Sequence, residues 1–216
     1  MVAFGCEFSF TRTGIPFGWY VYTDSTRGQE LYLSNVPVMD SLSFIYLLFG
    51  SYCLSLLFLS SSRRQGSQLF IASTALRMSW PVLALSVLFF VLIDVIIDPV
   101  ALRGDRWFLG KIYYYPEPGA HFGVPIANYL GWALVALTAL GLFRLVERRL
   151  GDLSPDANKT GPLLLGAALY YGVVIFMLAM TFWIAEPLIG WSGLMLYLPV
   201  TGLLWLKLAE RSLLKT

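Results

Sequence analysis

The chain has 216 residues, of which 57% are hydrophobic and only 13% charged, with a mean hydropathy of +0.69. Soluble domains carry roughly 25% charged residues, so a soluble core of this length is excluded, whereas a bilayer accepts such a composition. The net charge of +2 is too small to draw nucleic acid, and no nucleic-acid partner is expected.

In chain order, residues 1–35 read as a partial N-terminal helix and loop, and 36–216 as a five-helix bundle, together a single polytopic membrane domain. The stretch CEFSFTRTGIPFGWYVYTD holds Glu7 among apolar residues, then Tyr20, Tyr22 and Asp24. Its aromatics equally suit an interfacial belt. The basic region and cleavage site of a signal peptide are missing, so the helices themselves are expected to direct insertion.

Five apolar runs then follow, Ser41–Leu59, Met78–Ile97, Phe122–Phe143, Gly161–Ala185 and Pro187–Leu206. Each approaches or exceeds the roughly 20 helical residues that cross a bilayer. They lack the two-residue period of a membrane barrel. The fold class is therefore an all-α integral membrane protein with about five transmembrane helices.

Basic residues fall unevenly about these runs. Ten lie on one side (Arg63, Arg64, Arg77, Arg144, Arg148, Arg149, Lys159, Lys207, Arg211 and Lys215), and five on the other (Arg12, Arg27, Arg103, Arg106 and Lys111). The excess of positive charge inside predicts a cell membrane protein with a cytoplasmic C-terminus. The sequon Asn158-Lys159-Thr160 then lies on the cytoplasmic side and is not expected to be glycosylated.

Whatever the absolute orientation, alternating helices bring Asp24, Asp40, Asp94, Asp98, Glu117, His121, Asn128 and Glu186 to one half of the membrane. An ionisable cluster at one end of a membrane bundle marks a site. The opposite half is expected to carry basic residues and solvated acids such as Glu147 and Asp152.

Asp94 and Asp98, in VLIDVIIDP, share one helix face. Pro99 favours a helix end at Asp98, which equally makes Asp98 an interfacial cap. Asp94 lies a turn deeper and is the one charged residue within the five runs. It reads either as a proton donor or as a structural hydrogen-bonding group. The next motif, HFGVPIANYLGW, offers His121, Asn128 and Trp132 along one side, with Asn128 otherwise serving as interhelical glue. Glu186, in the tight WIAEPLIGW turn, is expected to be exposed.

The chain has no glycine-rich phosphate or dinucleotide loop, and its two cysteines, Cys6 and Cys53, read as small hydrophobes. A single His cannot build a multi-His iron site. No metal or cofactor is expected, and the chemistry left is acid–base.

The strings TGIPFGWYVYT, NVP, DVIIDPVA and HFGVPIANYLGW, in this order and spacing, resemble the membrane carotenoid-biosynthesis family that includes the carotenoid 1′,2′-hydratases of the γ-carotene and bisanhydrobacterioruberin type. The resemblance runs from about residue 7 to residue 145. Family members usually begin with further hydrophobic sequence, so the start is expected to be either truncated or a partial helix. Asp40 and the PEPG segment, Pro116 to Gly119, also depart from the pattern.

The resemblance implies a cofactor-independent hydro-lyase that adds water to the terminal double bond of a linear carotenoid. The partners it implies are a linear carotenoid or other isoprenoid, the lipid bilayer, and other carotenoid enzymes. The positions it carries over are Glu7, Tyr20, Tyr22, Asp94, Asp98, Asn128 and Trp132.

Such hydration needs a strong proton donor, then water delivered to a tertiary cation. A carboxyl in low dielectric keeps its proton, and aromatic faces stabilise a cation by roughly 0.5–2 kcal/mol each. The expected catalytic set is Asp94 as donor, Asp98 as its tuning neighbour and Asn128 holding water. Glu7, Tyr20, Tyr22, Glu117, His121 and Trp132 are expected at the substrate. Two further readings stay open. One is an isoprenoid cyclase or isomerase that excludes water, the other a non-catalytic pigment- or lipid-binding membrane protein.

Overall fold

The computed structural model describes residues 2–15, 17–60, 72–107, 109–151 and 160–213. Arg63, Arg64, Asp152 and the sequon's Asn158 and Lys159 lie outside these residues.

Helix α1 (Val2–Thr13) precedes three two-residue strands, β1 (Val21–Tyr22), β2 (Tyr32–Leu33) and β3 (Val36–Pro37). Then come α2 (Val38–Leu59), the single turn α3 (Thr74–Arg77), α4 (Trp80–Ala101), β4 (Tyr113–Tyr114), α5 (Ile126–Leu150), α6 (Thr160–Trp183) and α7 (Pro187–Leu213). Five of these helices, α2 and α4 to α7, are long and apolar enough to cross a membrane. The protein is a multi-pass helical membrane protein. At 12 residues, α1 is too short to span and instead packs on the start of α2 and on α5.

The surface of the bundle matches a lipid solvent. Trp80, Leu165, Ile175 and Trp205 point outward and are strongly exposed, while Glu7, Ser51, Ser86, Asp94 and Asn128 are buried. Apolar residues have no reason to turn inward when lipid surrounds them, and polar ones have every reason to. The buried hydroxyls of Ser51, Ser55, Ser86 and Thr181 return to the carbonyl four residues earlier, at 2.7–2.8 Å. Close approach uses small residues: Gly50 of α2 lies on the backbone of Gly166 in α6, and Gly166 in turn lies on Cys53.

Two helix boundaries differ from the sequence expectation. Helix α4 does not stop at Asp98 but runs through Pro99 to Ala101, the Leu102 N–H closing it on the Asp98 carbonyl at 3.0 Å. Pro99 has no N–H to give the carbonyl four residues earlier, so this last turn lacks one of its bonds. Helix α5 begins at Ile126, not at Phe122. Pro125 holds Val124 extended, Phe122 and Gly123 have positive φ of 51° and 97°, and His121 and Val124 bond each other in a tight turn.

At one end of the bundle, Arg77 and Glu147 form a buried ion pair at 2.5 Å, joining α3 to the last turn of α5. Arg144 donates to the Met78 carbonyl and lies over the Trp80 ring. Glu147 is therefore a buried structural partner and not the solvated acid its sequence position suggests. At the opposite end Glu186 is also engaged, paired with Arg103 at 3.2 Å and with Arg106.

Candidate active site

The N-terminal ends of α2 and α5 and the C-terminal end of α4 meet at the end opposite Arg77. Asp94 and Asp98, one turn apart on α4, face Asn128 in the first turn of α5. The Asn128 Nδ2 donates to an Oδ2 of each aspartate, at 2.7 Å in both cases. The two carboxyls also lie within hydrogen-bonding reach of each other. Asp94 is fully buried, and its Oδ1 has no partner among the described residues.

The loops close this end with tyrosines. Strand β1 pairs antiparallel with β4, Val21 opposite Tyr114 and Tyr22 opposite Tyr113. Alternation along each strand turns Trp19, Val21 and Tyr114 outward and Tyr20, Tyr22, Tyr113 and Tyr115 inward. Tyr113 donates to Asp98 Oδ1 at 2.7 Å, and Tyr115 makes a longer 3.4 Å contact with Oδ2. Tyr22 donates to Asp40 Oδ2 at 2.6 Å, and the Tyr20 and Tyr22 hydroxyls meet at 3.0 Å. Burial, reinforced by Asp40 or Asp98 nearby, pushes the phenols of Tyr20, Tyr22, Tyr113 and Tyr115 well above their usual range, so they act as neutral donors.

Glu7 completes the set from α1. It is fully buried, its Oε2 accepts from Ser41, and its Oε1 has no partner among the described residues. Burial first, and then the neighbouring Asp40, push its carboxyl up to about 9, so it is protonated near neutrality.

Between these groups lies a cavity of about 30 Å3, lined by carboxyls of Glu7, Asp40 and Asp98, by Asn128, and by Trp132 and other aromatic rings. That is room for water, which needs roughly 10–15 Å3 of such space. Among the described residues no cation pairs with Glu7, Asp40, Asp94 or Asp98. Gly131 on α5 lets the Phe17 ring reach the cavity wall, since a Cβ there would overlap that ring.

Phe44 borders the small cavity and also a second, much larger space of about 470 Å3. This open groove runs along α2 and α5 between Val2 and Ala3 at one end and Tyr52 and Phe143 at the other, with Leu48 and Ala139 on its walls. Phe44 stacks on Trp132 with ring centroids 4.4 Å apart, so an aromatic seam separates the carboxyls from the groove.

Of the residues singled out in the sequence, Glu7, Tyr20, Asp40, Asp98, Asn128 and Trp132 line the small cavity. Asp94 sits directly behind Asp98 and Asn128, and Tyr22 sits behind Asp40. His121 is held apart, in the turn before α5, bonded through Nδ1 to the Tyr129 hydroxyl at 2.6 Å, and burial lowers its proton affinity. Glu117 is exposed beside Trp19 and Pro116, and Asp24 is an exposed partner of Arg27. Tyr113, Tyr115, Ser41, Phe17 and Phe44 carry no signal of their own in the sequence, since Tyr113, Tyr114 and Tyr115 are consecutive and alike.

The bundle thus holds, at one end, a carboxyl cluster with no cation partner among the described residues and, beside it, a largely apolar groove. Residues 1–199 match the family described as carotenoid biosynthesis protein, and the chain belongs to that family. A bisanhydrobacterioruberin hydratase of Haloarcula japonica is 32% identical over 144 residues, a match covering 66% of this chain and 41% of that protein. No solved structure matches the chain.

Proposed function

We propose that this protein adds water across the terminal carbon–carbon double bond of a linear carotenoid, by acid catalysis and without a cofactor. The observation that carries the reading is the water-sized cavity walled by carboxyls and aromatic rings at the end of an apolar groove. The polyene lies along the groove, and its trisubstituted end reaches the seam of Phe44 and Trp132.

In this reading Asp94 and Asp98 hold a proton between them, as two carboxyls in contact do, and Asp98 delivers it because Asp98 borders the cavity. The alkene π pair takes the proton at the CH carbon, which leaves a tertiary cation against Trp132 and Phe44. Asn128 fixes both aspartates in place, and Tyr113 steadies the charge left on Asp98. A cyclase or isomerase would keep water from its cation, so a water-sized space beside the donor favours hydration.

The excess of basic residues on the Arg77 side supports a cytoplasmic C-terminus, with the carboxyl cluster toward the other face of the cell membrane. A reporter fused after Thr216 should be active in the cytoplasm, and activity only after export would reverse the orientation. Function is tested by expressing the chain in a host that accumulates lycopene. Pigments heavier by one or two waters are expected, and a product of unchanged mass with a new ring would establish cyclisation instead.

A further inference from the structure

The small cavity has two carboxyl-bearing walls. The proposed function uses one of them, Asp98 with Asp94 behind it, and leaves Asp40 on the other unassigned. We propose that Asp40 is the base of the same reaction, taking a proton from the attacking water after Asp98 has protonated the alkene. This rests on the hydratase reading above.

Several independent observations separate the two roles. Asp40 lies in the first turn of α2, where helix N–H groups point and negative charge is favoured, while Asp98 lies in the last turn of α4, where it is not. The Asp40 side chain accepts a hydrogen bond from Tyr22, which is backed by Tyr20, an arrangement suited to holding a carboxylate. Beside it, the buried Glu7 lines the cavity with an oxygen that has no partner among the described residues. Protonated Glu7 can hydrogen-bond a water there without adding charge. Asp40 is only partly buried, so it lies nearer the protein surface than Asp94 or Asp98.

The step balances. Asp98 loses its proton to carbon, and the alkene pair becomes the new C–H bond. A water oxygen gives a lone pair to the cation to form the C–O bond, and its surplus proton passes to Asp40. The next water carries that proton back to Asp98, and the net change is one water added.

Removing the base should therefore separate protonation from hydration. Asp40→Asn, purified in detergent and given linear carotenoid in heavy water, should still protonate the end group. The cation, lacking a water made nucleophilic by a base, returns a proton to Asp98. Recovered polyene should then carry deuterium at the terminal CH carbon, while hydrated product falls at least about 100-fold. Tyr22→Phe, which keeps the carboxyl and removes its hydrogen bond, should lower the ratio of hydration to exchange by a smaller factor, and it decides the matter if Asp40→Asn does not accumulate.

Hydration by Asp40→Asn at near the natural rate would overturn the assignment. So would a folded Asp40→Asn, eluting and melting like the natural chain, that neither hydrates nor exchanges, because Asp40 would then belong to the protonation step. If the natural chain itself yields no hydrated product, the hydratase reading fails rather than the assignment of the base.

Discussion

At one end of the bundle Arg77 and Glu147 lie 2.5 Å apart and fully buried, while at the other Glu7, Asp40, Asp94 and Asp98 gather with no cation among the described residues. Both arrangements place ionisable groups where ionisation is expensive. The first cancels its charge inside the fold and joins α3 to α5, with Arg77 also at the wall of the groove. The second is hydrogen-bonded by tyrosines, a serine and one asparagine, with no counter-charge among the described residues. The difference teaches where to look in a membrane bundle: a buried ion pair fastens two helices, whereas acids gathered beside a cavity without a cation are the place to test for chemistry.

The largest expected effect comes from removing the proton-holding pair. Asp98→Asn should insert and accumulate normally yet hydrate about 1,000-fold more slowly, and Asp94→Asn about 100-fold, within the usual range for a lost acid. Pigment hydration per mole of purified protein measures both. Near-normal turnover in Asp98→Asn would move the donor to Glu7.

At the other end the effect should fall on stability. Glu147→Leu leaves Arg77 buried without its counter-charge and should cost about 3–5 kcal/mol, read as a lower melting temperature in detergent. Turnover per folded molecule should hold. A loss of turnover without a loss of stability would erase the contrast between the two ends.

A smaller change is expected along the groove between them. Ala139→Phe fills the groove wall without entering the core. It should raise the KM for the carotenoid about tenfold, equivalent to roughly 1.4 kcal/mol, with kcat little changed. An unaltered KM would place the polyene elsewhere.

A further measurement tests the protonation of Glu7. Its carboxyl is raised in the fold from an ordinary value of 4.5 to about 9, so the folded chain holds a proton that the unfolded chain releases. The resulting stability is complete below about 4.5 and is lost as pH rises through 9. The melting temperature should therefore fall between pH 6 and pH 9, and Glu7→Gln, which stays neutral, should flatten that fall. Asp40, Ser41 and Cys6 are the neighbours through which the effect is felt. Equal slopes would mean that Glu7 is ionised throughout.

The five spans and the gathering of Asp94, Asp98 and Asn128 could be read in the sequence, because twenty-residue apolar runs and a helical i, i+4 pair are local signals. Helix alternation was enough to place Asp40 at the same end, while Glu7 entered only through the family resemblance. What could not be read was which acids face a cavity. Asp94 was the natural choice of donor by depth alone, yet Asp98 borders the water-sized space, since α4 continues through Pro99 and turns its last carboxyl inward. His121 was assigned to a helix face that begins only after Pro125. Glu147 looked solvated because its partner, Arg77, lies 70 residues away, beyond any local pattern. The β1–β4 ladder that sets Tyr113 and Tyr115 over Asp98 depends on pairing across nearly a hundred residues, which no local pattern locates.

The central claim is that the carboxyl cluster adds water itself, and the origin of the new oxygen tests it most directly. Purified protein in detergent, with chelator present and nicotinamide absent, should be given a linear carotenoid in 18O-labelled water under unlabelled oxygen gas. Every newly formed alcohol should carry 18O, and its formation should not change when oxygen gas is removed. An unlabelled alcohol, or one that forms only when oxygen gas is supplied, would contradict acid-catalysed hydration.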